Sequence, residues 1–298
     1  MALPSYATPV QRTYYYAYLF FCGVVFFFLI APLIAIIPIS FSVSPFMVFT
    51  DEMLTWPPDP DAWSLRWYKN MVGNCSADVV SSTVPCSNKW MIGTVNSFFI
   101  GFIATFIATT LGTLAALGLS RPHMPYKGLI MAILISPMIV PLIITAAGMF
   151  FFYARINLVY SFTGIILAHV ALATPFVVIT VTATLVGFDM NMVKASQSLG
   201  ARPVRTFFKV IMPLILPGVI SGALFAFITS FDEVVIVMFM ASLDQLTIPK
   251  QMWAGIRQEI SPVILCMATC LVVLSILLLT TVELLRRRSE KLRGITSR

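Results

Sequence analysis

Charged residues are scarce in this sequence. Only 10% of its 298 residues are Asp, Glu, Lys or Arg, whereas a soluble domain carries about 25%. Apolar residues make up 59%, and the mean hydropathy is +0.93. The composition leaves no room for a large aqueous domain and predicts a protein embedded in a membrane.

Catalytic and metal-binding patterns are also missing. The sequence has no G-x-x-x-x-G-K-[ST] phosphate loop, so we expect this chain neither to bind nor to hydrolyse ATP. Its two histidines, His123 and His169, are not part of a recognisable catalytic triad or metal cluster. We therefore expect no catalytic residue, metal site or cofactor in this chain.

The five cysteines define no chemistry. Cys22, Cys266 and Cys270 fall in apolar stretches, where a free cysteine behaves as a small hydrophobe. Cys75 and Cys86 lie between the first two apolar stretches. In an oxidising compartment they could form a disulfide, and two unpaired thiols are the alternative.

Long apolar runs make up most of the sequence. A bilayer core about 30 Å thick needs a helix of about 20 apolar residues, and six stretches are long enough. The sequence therefore predicts an all-α membrane protein forming one transmembrane domain over residues 1–298. The predicted spans are residues 15–43, 91–119, 127–153, 160–186, 213–241 and 262–285, with an outer loop at 44–90 and a cytoplasmic loop at 187–212.

The distribution of Lys and Arg predicts the orientation. Thirteen of the 19 lie on the side of the two termini and the 187–212 loop, and six lie on the other side. Because cytoplasmic segments carry the excess of Lys and Arg, both termini are predicted to be cytoplasmic. The net charge of +7 then requires no nucleic-acid partner.

Two adjacent carboxylates, Asp232 and Glu233, interrupt the fifth span. An Asp at the centre of a membrane helix costs about 2.5–3.5 kcal/mol on insertion scales, which favours a function, here attraction of a cation along a pathway. The alternative is a structural carboxylate paired with Asn96, His169 or a cation of another subunit. Three aromatic candidates could hold an alkyl-ammonium by cation–π contact: Phe231, Tyr153 and Trp253.

Prolines interrupt two other spans. Pro137 and Pro141 in the third span, and Pro175 in the fourth, lack a backbone donor and should kink their helices. Kinked helices at membrane depth are candidates for lining a pathway, and ordinary kinked packing helices are the alternative.

The 187–212 loop has a pattern of residues that form, end and begin helices. Helix-forming residues continue to Leu199, Gly200 is placed to end a helix, and Pro203 is placed to begin another. The pattern resembles the cytoplasmic EAA loop of binding-protein-dependent ATP-binding-cassette importers. The resemblance assigns ATPase coupling to Lys194, Ala195, Ser196, Leu199, Gly200, Ala201, Arg202 and Pro203. Lys194 departs from the family, which usually has an acidic residue there.

Further segments carry the same resemblance over nearly the whole chain. SFDE in the fifth span, HVALATPFVVITVTATLVGFD in the fourth and LTIPKQMWAGIRQEISP after the fifth are similar to the permeases of spermidine/putrescine importers. The resemblance implies a six-span type I importer permease in a bacterial inner membrane, with a polyamine as cargo. It also implies a second permease subunit, an ATPase dimer that binds ATP and Mg²⁺, and a periplasmic substrate-binding protein.

Two other functions remain compatible with the residues alone. A self-contained secondary carrier or channel could use Asp232 or Glu233 as a cation site, although no inverted repeat is evident. An importer permease for another small organic solute is the second alternative.

Overall fold

The computed structural model describes residues 8–57, 59–73, 88–121, 123–186, 191–258 and 261–292. Their regular structure is helical, apart from one isolated β-bridge between Ser42 and Trp63. In chain order the helices are α1 Pro9–Ser40, α2 Asp51–Leu54, α3 Arg66–Met71, α4 Lys89–Leu119, α5 Lys127–Ile139, α6 Leu142–Arg155, α7 Phe162–Val186, α8 Asn191–Ser198, α9 Pro203–Thr206, α10 Met212–Phe231, α11 Val235–Met240, α12 Ile248–Gln258 and α13 Val263–Leu292.

Five helices of the described chain are long and apolar enough to cross a membrane, and the bent pair α5–α6 would add a sixth span. The five are α1, α4, α7, the continuous run Pro203–Phe231, and the Val263–Thr281 part of α13. This confirms the predicted all-α membrane architecture. The described residues form two compact units, one within Met1–Asn88 and Gly255–Arg298, the other within Lys89–Ala254.

In the first unit, α1 and α13 pack together and α3 packs on α13. Trp67 of α3 is fully buried, and its indole N–H donates to the Ser42 carbonyl at 3.0 Å. The Cys266 thiol of α13 donates to the Ser40 carbonyl at 3.3 Å. These contacts satisfy the carbonyls of the last residue of α1 and of a residue just beyond it, where no further helical turn is available.

In the second unit, α4, α7 and α10 form a tightly packed three-helix core. Lipid tails provide no hydrophobic drive for helices to associate, so the helices are held together by close van der Waals packing. Small residues at the contacts permit this close approach. Gly112 of α4 lies against Val177 of α7, and Gly222 of α10 lies against Thr180 and Val177. The most buried of the three helices is α7, with 67% of its most apolar segment buried inside the protein.

The third predicted span is bent much more sharply than a kink. Its two halves, α5 and α6, meet at 101°. Pro141 precedes the first residue of α6 and has no N–H, and Val140 before it is extended (φ −70°, ψ 136°). A residue before proline is disfavoured in helical geometry, so the chain changes direction here.

The fifth predicted span differs from the sequence expectation at both ends. At its N-terminal end, α9 continues through a π-helical turn, Phe207–Ile211, directly into α10, so the span does not begin anew at Pro213. At the other end, α10 stops at Phe231 and α11 starts at Val235. The prediction that Asp232 and Glu233 lie within one helix was therefore wrong: they lie in a break between two helices.

Substitution of Gly222 tests the close packing of the core. A Cβ there would lie 2.5 Å from Thr180 Oγ1 and 3.1 Å from Val177 Cα, which is backbone and cannot rotate away. Such overpacking costs about 1–3 kcal/mol. We expect Gly222→Ala to lower the melting temperature of the purified protein in detergent.

The matched control is Gly148→Ala in the middle of α6, where a Cβ would meet no heavy atom within 4 Å. Ala in a helix interior is favoured over Gly by about 0.5–1 kcal/mol, so this variant should melt at or above the wild-type temperature. Equal melting temperatures for the two variants would contradict the packing account.

Candidate functional site

A cleft of about 350 Å³ lies where two interrupted spans of the second unit meet. One side is Leu142, the first residue of α6 after the bend, and the other side is the end of α10 with the break that follows it. Non-helical backbone at membrane depth is tolerated where it is buried in protein or lines a water-filled cavity. The cleft is lined by Leu142, Ile228, Thr229, Asp232, Glu233 and Val234.

Asp232 is exposed at the end of α10. It occupies the C-cap position, and its backbone N–H donates to the Ile228 carbonyl at 3.0 Å. Among the described residues, none forms a hydrogen bond or ion pair with its carboxylate. The last carbonyls of a helix lack intrahelical donors and carry the negative end of the helix dipole. The carboxylate and these carbonyls together make this end of the cleft favourable for a cation.

Glu233 has a different environment, although it lines the same cleft. Its side chain is 7% exposed, and its Oε1 accepts the Ile236 backbone N–H at 2.9 Å. The backbone N–H of Val235 also interacts with this carboxylate. Glu233 therefore caps the N-terminus of α11, whose first N–H groups have no partner within the helix.

The two side chains of this subunit that were expected as alternative partners are engaged elsewhere. The Asn96 amide donates to the carbonyls of Asp244 and Leu246, at 3.0 and 2.9 Å. The Nδ1 atom of buried His169 lies 2.8 Å from the Ser230 hydroxyl. The alternative in which Asn96 or His169 pairs with the acidic residues was therefore wrong, and pairing with a cation of another subunit stays a hypothesis.

The far end of α11 is also held by a charged group. The Lys250 ammonium donates to the carbonyl of Ala241, the C-cap residue of α11, at 3.1 Å. Burial lowers the pKa of the Lys250 ammonium from its ordinary value. Ile236, Val237 and Met240 are fully buried, so α11 is a short, rigidly seated helix.

The three predicted aromatic residues do not line the cleft. Phe231 packs against Phe98 and Phe227, with ring centroids 5.2 and 5.4 Å apart. Tyr153, in α6, is 9% exposed, and Trp253, in α12, is 47% exposed. Their role as cation contacts stays a prediction.

The 187–212 loop contains a helical hairpin made of α8 and α9. At the end of α8, the Gly200 N–H donates to the Gln197 carbonyl at 2.9 Å and the Ala201 N–H donates to the Ser196 carbonyl at 3.1 Å. These two bonds form a Schellman cap, and Gly200 supplies the left-handed residue that the cap requires, with φ +74°. Pro203 is the first residue of α9, as its missing N–H favours. The end of the first arm and the start of the second are thus where the sequence predicts them.

A hydrogen bond ties the two arms of the hairpin together. The Ser196 and Thr206 hydroxyls lie 2.9 Å apart, and Thr206 is buried. Apolar side chains are exposed at the tip and along the second arm, with Leu199 88% exposed and Phe208 62% exposed. Of the remaining predicted coupling residues, Lys194, Ala195, Arg202 and Pro203 are exposed and Ala201 is partly buried. Contiguous exposed apolar side chains on a rigid element are typical of an interaction surface.

Sequence reasoning missed the helix break and the Lys250 contact. A signal for the break was available in Asp232, because Asp favours helix caps and turns over helix interiors, and here it is the C-cap of α10. The contact between Lys250 and Ala241 had no such signal, since it depends on the turn Leu243–Gln245 that brings α12 back to α11.

Two further expectations concern cysteines and metals. Cys75 and Cys86 lie outside the described residues, so the disulfide stays a prediction. Within the described residues, no group of three or more His, Cys, Asp or Glu side chains is arranged to hold a metal ion.

Known proteins resemble this chain over most of its length. The spermidine/putrescine transport system permease protein PotC of Haemophilus influenzae is 28% identical over 270 residues, which cover 91% of this chain and 96% of that protein. The putrescine transport system permease protein PotI of Escherichia coli K12 is 28% identical over 252 residues, covering 82% of this chain and 81% of that protein.

A solved structure shares the fold. The crystal structure of a bacterial ABC transporter involved in the import of the acidic polysaccharide alginate contains a chain that matches with a TM-score of 0.68. The match covers 96% of this chain and 99% of that chain, at 14% identity. The fold is accordingly that of an ABC importer permease.

Residues 108–291 match the family described as binding-protein-dependent transport system inner membrane component. The matched range covers more than half of the chain and includes the hairpin, α10 and the break at residues 232–234. With its long apolar helices, the chain is a multi-pass protein of the inner membrane. It belongs to the family of binding-protein-dependent transport system inner membrane components.

Proposed function

We propose that this chain forms half of the translocation pathway of an ATP-driven importer for a small organic cation, most specifically a polyamine. The observation that carries the proposal is the cleft, in which the exposed carboxylate of Asp232 lies at the carbonyl end of α10. The relatives described above are permeases for spermidine and putrescine, and these molecules are cationic amines.

The cleft has the chemistry that an amine cation needs. A protonated primary amine has three N–H donors and no acceptor, and here it meets a carboxylate and helix-terminal carbonyl oxygens. Leu142, Ile228 and Val234 provide apolar surface for the methylene groups between the amines. An anionic cargo would be repelled by the same groups.

The assembly has four kinds of subunit. This chain pairs with a second permease, and a cytoplasmic ATPase dimer binds ATP and Mg²⁺ and carries out the hydrolysis. A periplasmic substrate-binding protein delivers the cargo to the outer side. Both termini and the α8–α9 hairpin face the cytoplasm, in accordance with the excess of Lys and Arg on that side.

The hairpin transmits movement of the ATPases to the cleft. Its second arm continues without interruption from Pro203 to Phe231, a run of 29 residues that ends at the cleft. At 1.5 Å per residue this run is about 44 Å long, enough to cross the bilayer. Leu199, Val204 and Phe208 are exposed for contact with the ATPase. A change in the angle of the hairpin therefore moves the end of α10.

Uptake into proteoliposomes tests the proposal. Vesicles contain this chain with its co-purified permease and ATPase partners, and the binding protein is added outside. We expect uptake of labelled spermidine and putrescine that requires both ATP and the binding protein, because neither the chain nor its cleft supplies a driving force.

Two results would contradict parts of this proposal. Uptake by vesicles that lack the ATPase would make the chain a carrier or channel. If the loaded binding protein stimulates ATP hydrolysis but no polyamine is taken up, the chain is still an importer permease. The polyamine is then rejected as its cargo.

The geometry of Gly200 tests the coupling hairpin. At φ +74°, a β-branched residue is strongly strained, whereas Asn tolerates the left-handed conformation. We expect Gly200→Val to lower ATP-dependent uptake and the amount of ATPase that co-purifies, and Gly200→Asn to retain most of both. Normal uptake by Gly200→Val at normal complex abundance would contradict the coupling role.

A further inference from the structure

We infer that the two adjacent carboxylates of the cleft have separate roles: Asp232 contacts the cationic cargo, and Glu233 is a positioning residue whose charge the cargo does not use. This inference rests on the proposed transport of a cation. The sequence does not assign the two roles: adjacent residues of a helix point in different directions, so at most one of the two faces a pathway squarely, but the sequence does not say which.

The local backbone stabilises a negative charge at Glu233 and disfavours one at Asp232. Glu233 lies at the N-terminus of α11, where N–H groups point at its carboxylate and stabilise a negative charge. Asp232 lies at the C-terminus of α10, where the carbonyl groups already carry partial negative charge. The charge of Glu233 is thus balanced before a cargo arrives, whereas among the described residues no hydrogen-bond donor or cation balances that of Asp232.

Burial separates the two side chains further. Glu233 is 7% exposed while its Oε1 accepts the Ile236 N–H, so little of its carboxylate is accessible to a cargo in this position. Without Glu233, that buried N–H would lose its partner, which is costly in a site with little access to water. Asp232 is exposed and needs no such rearrangement.

Three contacts hold α11 in place, and together they are called the clamp. The clamp explains how Glu233 acts through Asp232. Glu233 holds the first turn of α11, Lys250 holds the carbonyl of the C-cap residue Ala241, and the Met240 carbonyl accepts the Tyr160 N–H at 2.9 Å. Only residues 232–234 separate this fixed helix from the end of α10. A three-residue connection between two seated helices has little freedom, so the cap at Glu233 fixes the backbone that presents Asp232.

Conservative and truncating variants separate the two roles. Asp232→Asn keeps the shape and removes the charge. Glu233→Gln also removes a charge but keeps an oxygen that can accept the Ile236 N–H, whereas Glu233→Ala removes the cap itself. The assembled complex of each variant is reconstituted, and the initial rate of ATP-dependent spermidine uptake and the melting temperature of the complex are measured.

We expect Asp232→Asn to reduce uptake about tenfold or more, as loss of a close opposite charge in a partly shielded site would, without lowering the melting temperature. Glu233→Gln should retain uptake within about threefold, because a neutral acceptor still makes the capping hydrogen bond. Glu233→Ala should lose uptake and melt at a lower temperature. Rescue by Gln but not by Ala identifies a positioning role.

Two results would overturn the inference. The first is a loss of uptake by Glu233→Gln equal to that of Asp232→Asn at wild-type melting temperature, since both charges would then contact the cargo. The second is an equal melting temperature for Glu233→Ala and Glu233→Gln. This second comparison does not depend on the cargo, so it tests the clamp even if the wild-type complex transports no polyamine and the proposed function fails.

Discussion

Backbone groups inside a membrane must find partners within the protein, and this requirement governs the centre of the second unit. The α10 helix ends where its last carbonyls reach a cleft, and the next helix begins where Glu233 accepts the Ile236 N–H. The bend between α5 and α6 brings a second interruption to the same place through Leu142. Glu233 satisfies the start of α11, and the carbonyl end of α10 lies at the cleft.

Close helix packing supports this arrangement and connects it to the hairpin. Gly222 lets α10 lie against α7, and the same helix is continuous with the second arm of the hairpin through the π-helical turn. Packed cores switch between discrete arrangements and do not deform gradually. A helix that packs closely against α7 and is exposed at its hairpin end is suited to carry a movement from the hairpin to Asp232.

The sequence predicts elements that depend on local chemistry. The long apolar runs identify the helices, and Gly200 and Pro203 identify the turn of the hairpin, because a left-handed cap and a missing N–H act at single residues. The break at residues 232–234 was not predicted, since hydropathy treats 213–241 as one apolar run. Whether a carboxylate faces a cleft or caps a helix depends on tertiary burial. The same limit applies to the bend at Pro141, for which the sequence predicts a kink but not its 101° angle.

Accessibility of the two acidic positions tests the central claim most directly. Asp232→Cys and Glu233→Cys are each introduced into the assembled complex, after replacement of the five native cysteines, and are treated with a cationic, membrane-impermeant thiol reagent. The account predicts fast modification of Asp232→Cys that changes when ATP hydrolysis is blocked, with much slower modification of Glu233→Cys. Modification of Glu233→Cys that is as fast as that of Asp232→Cys, or an inert Asp232→Cys, would contradict it.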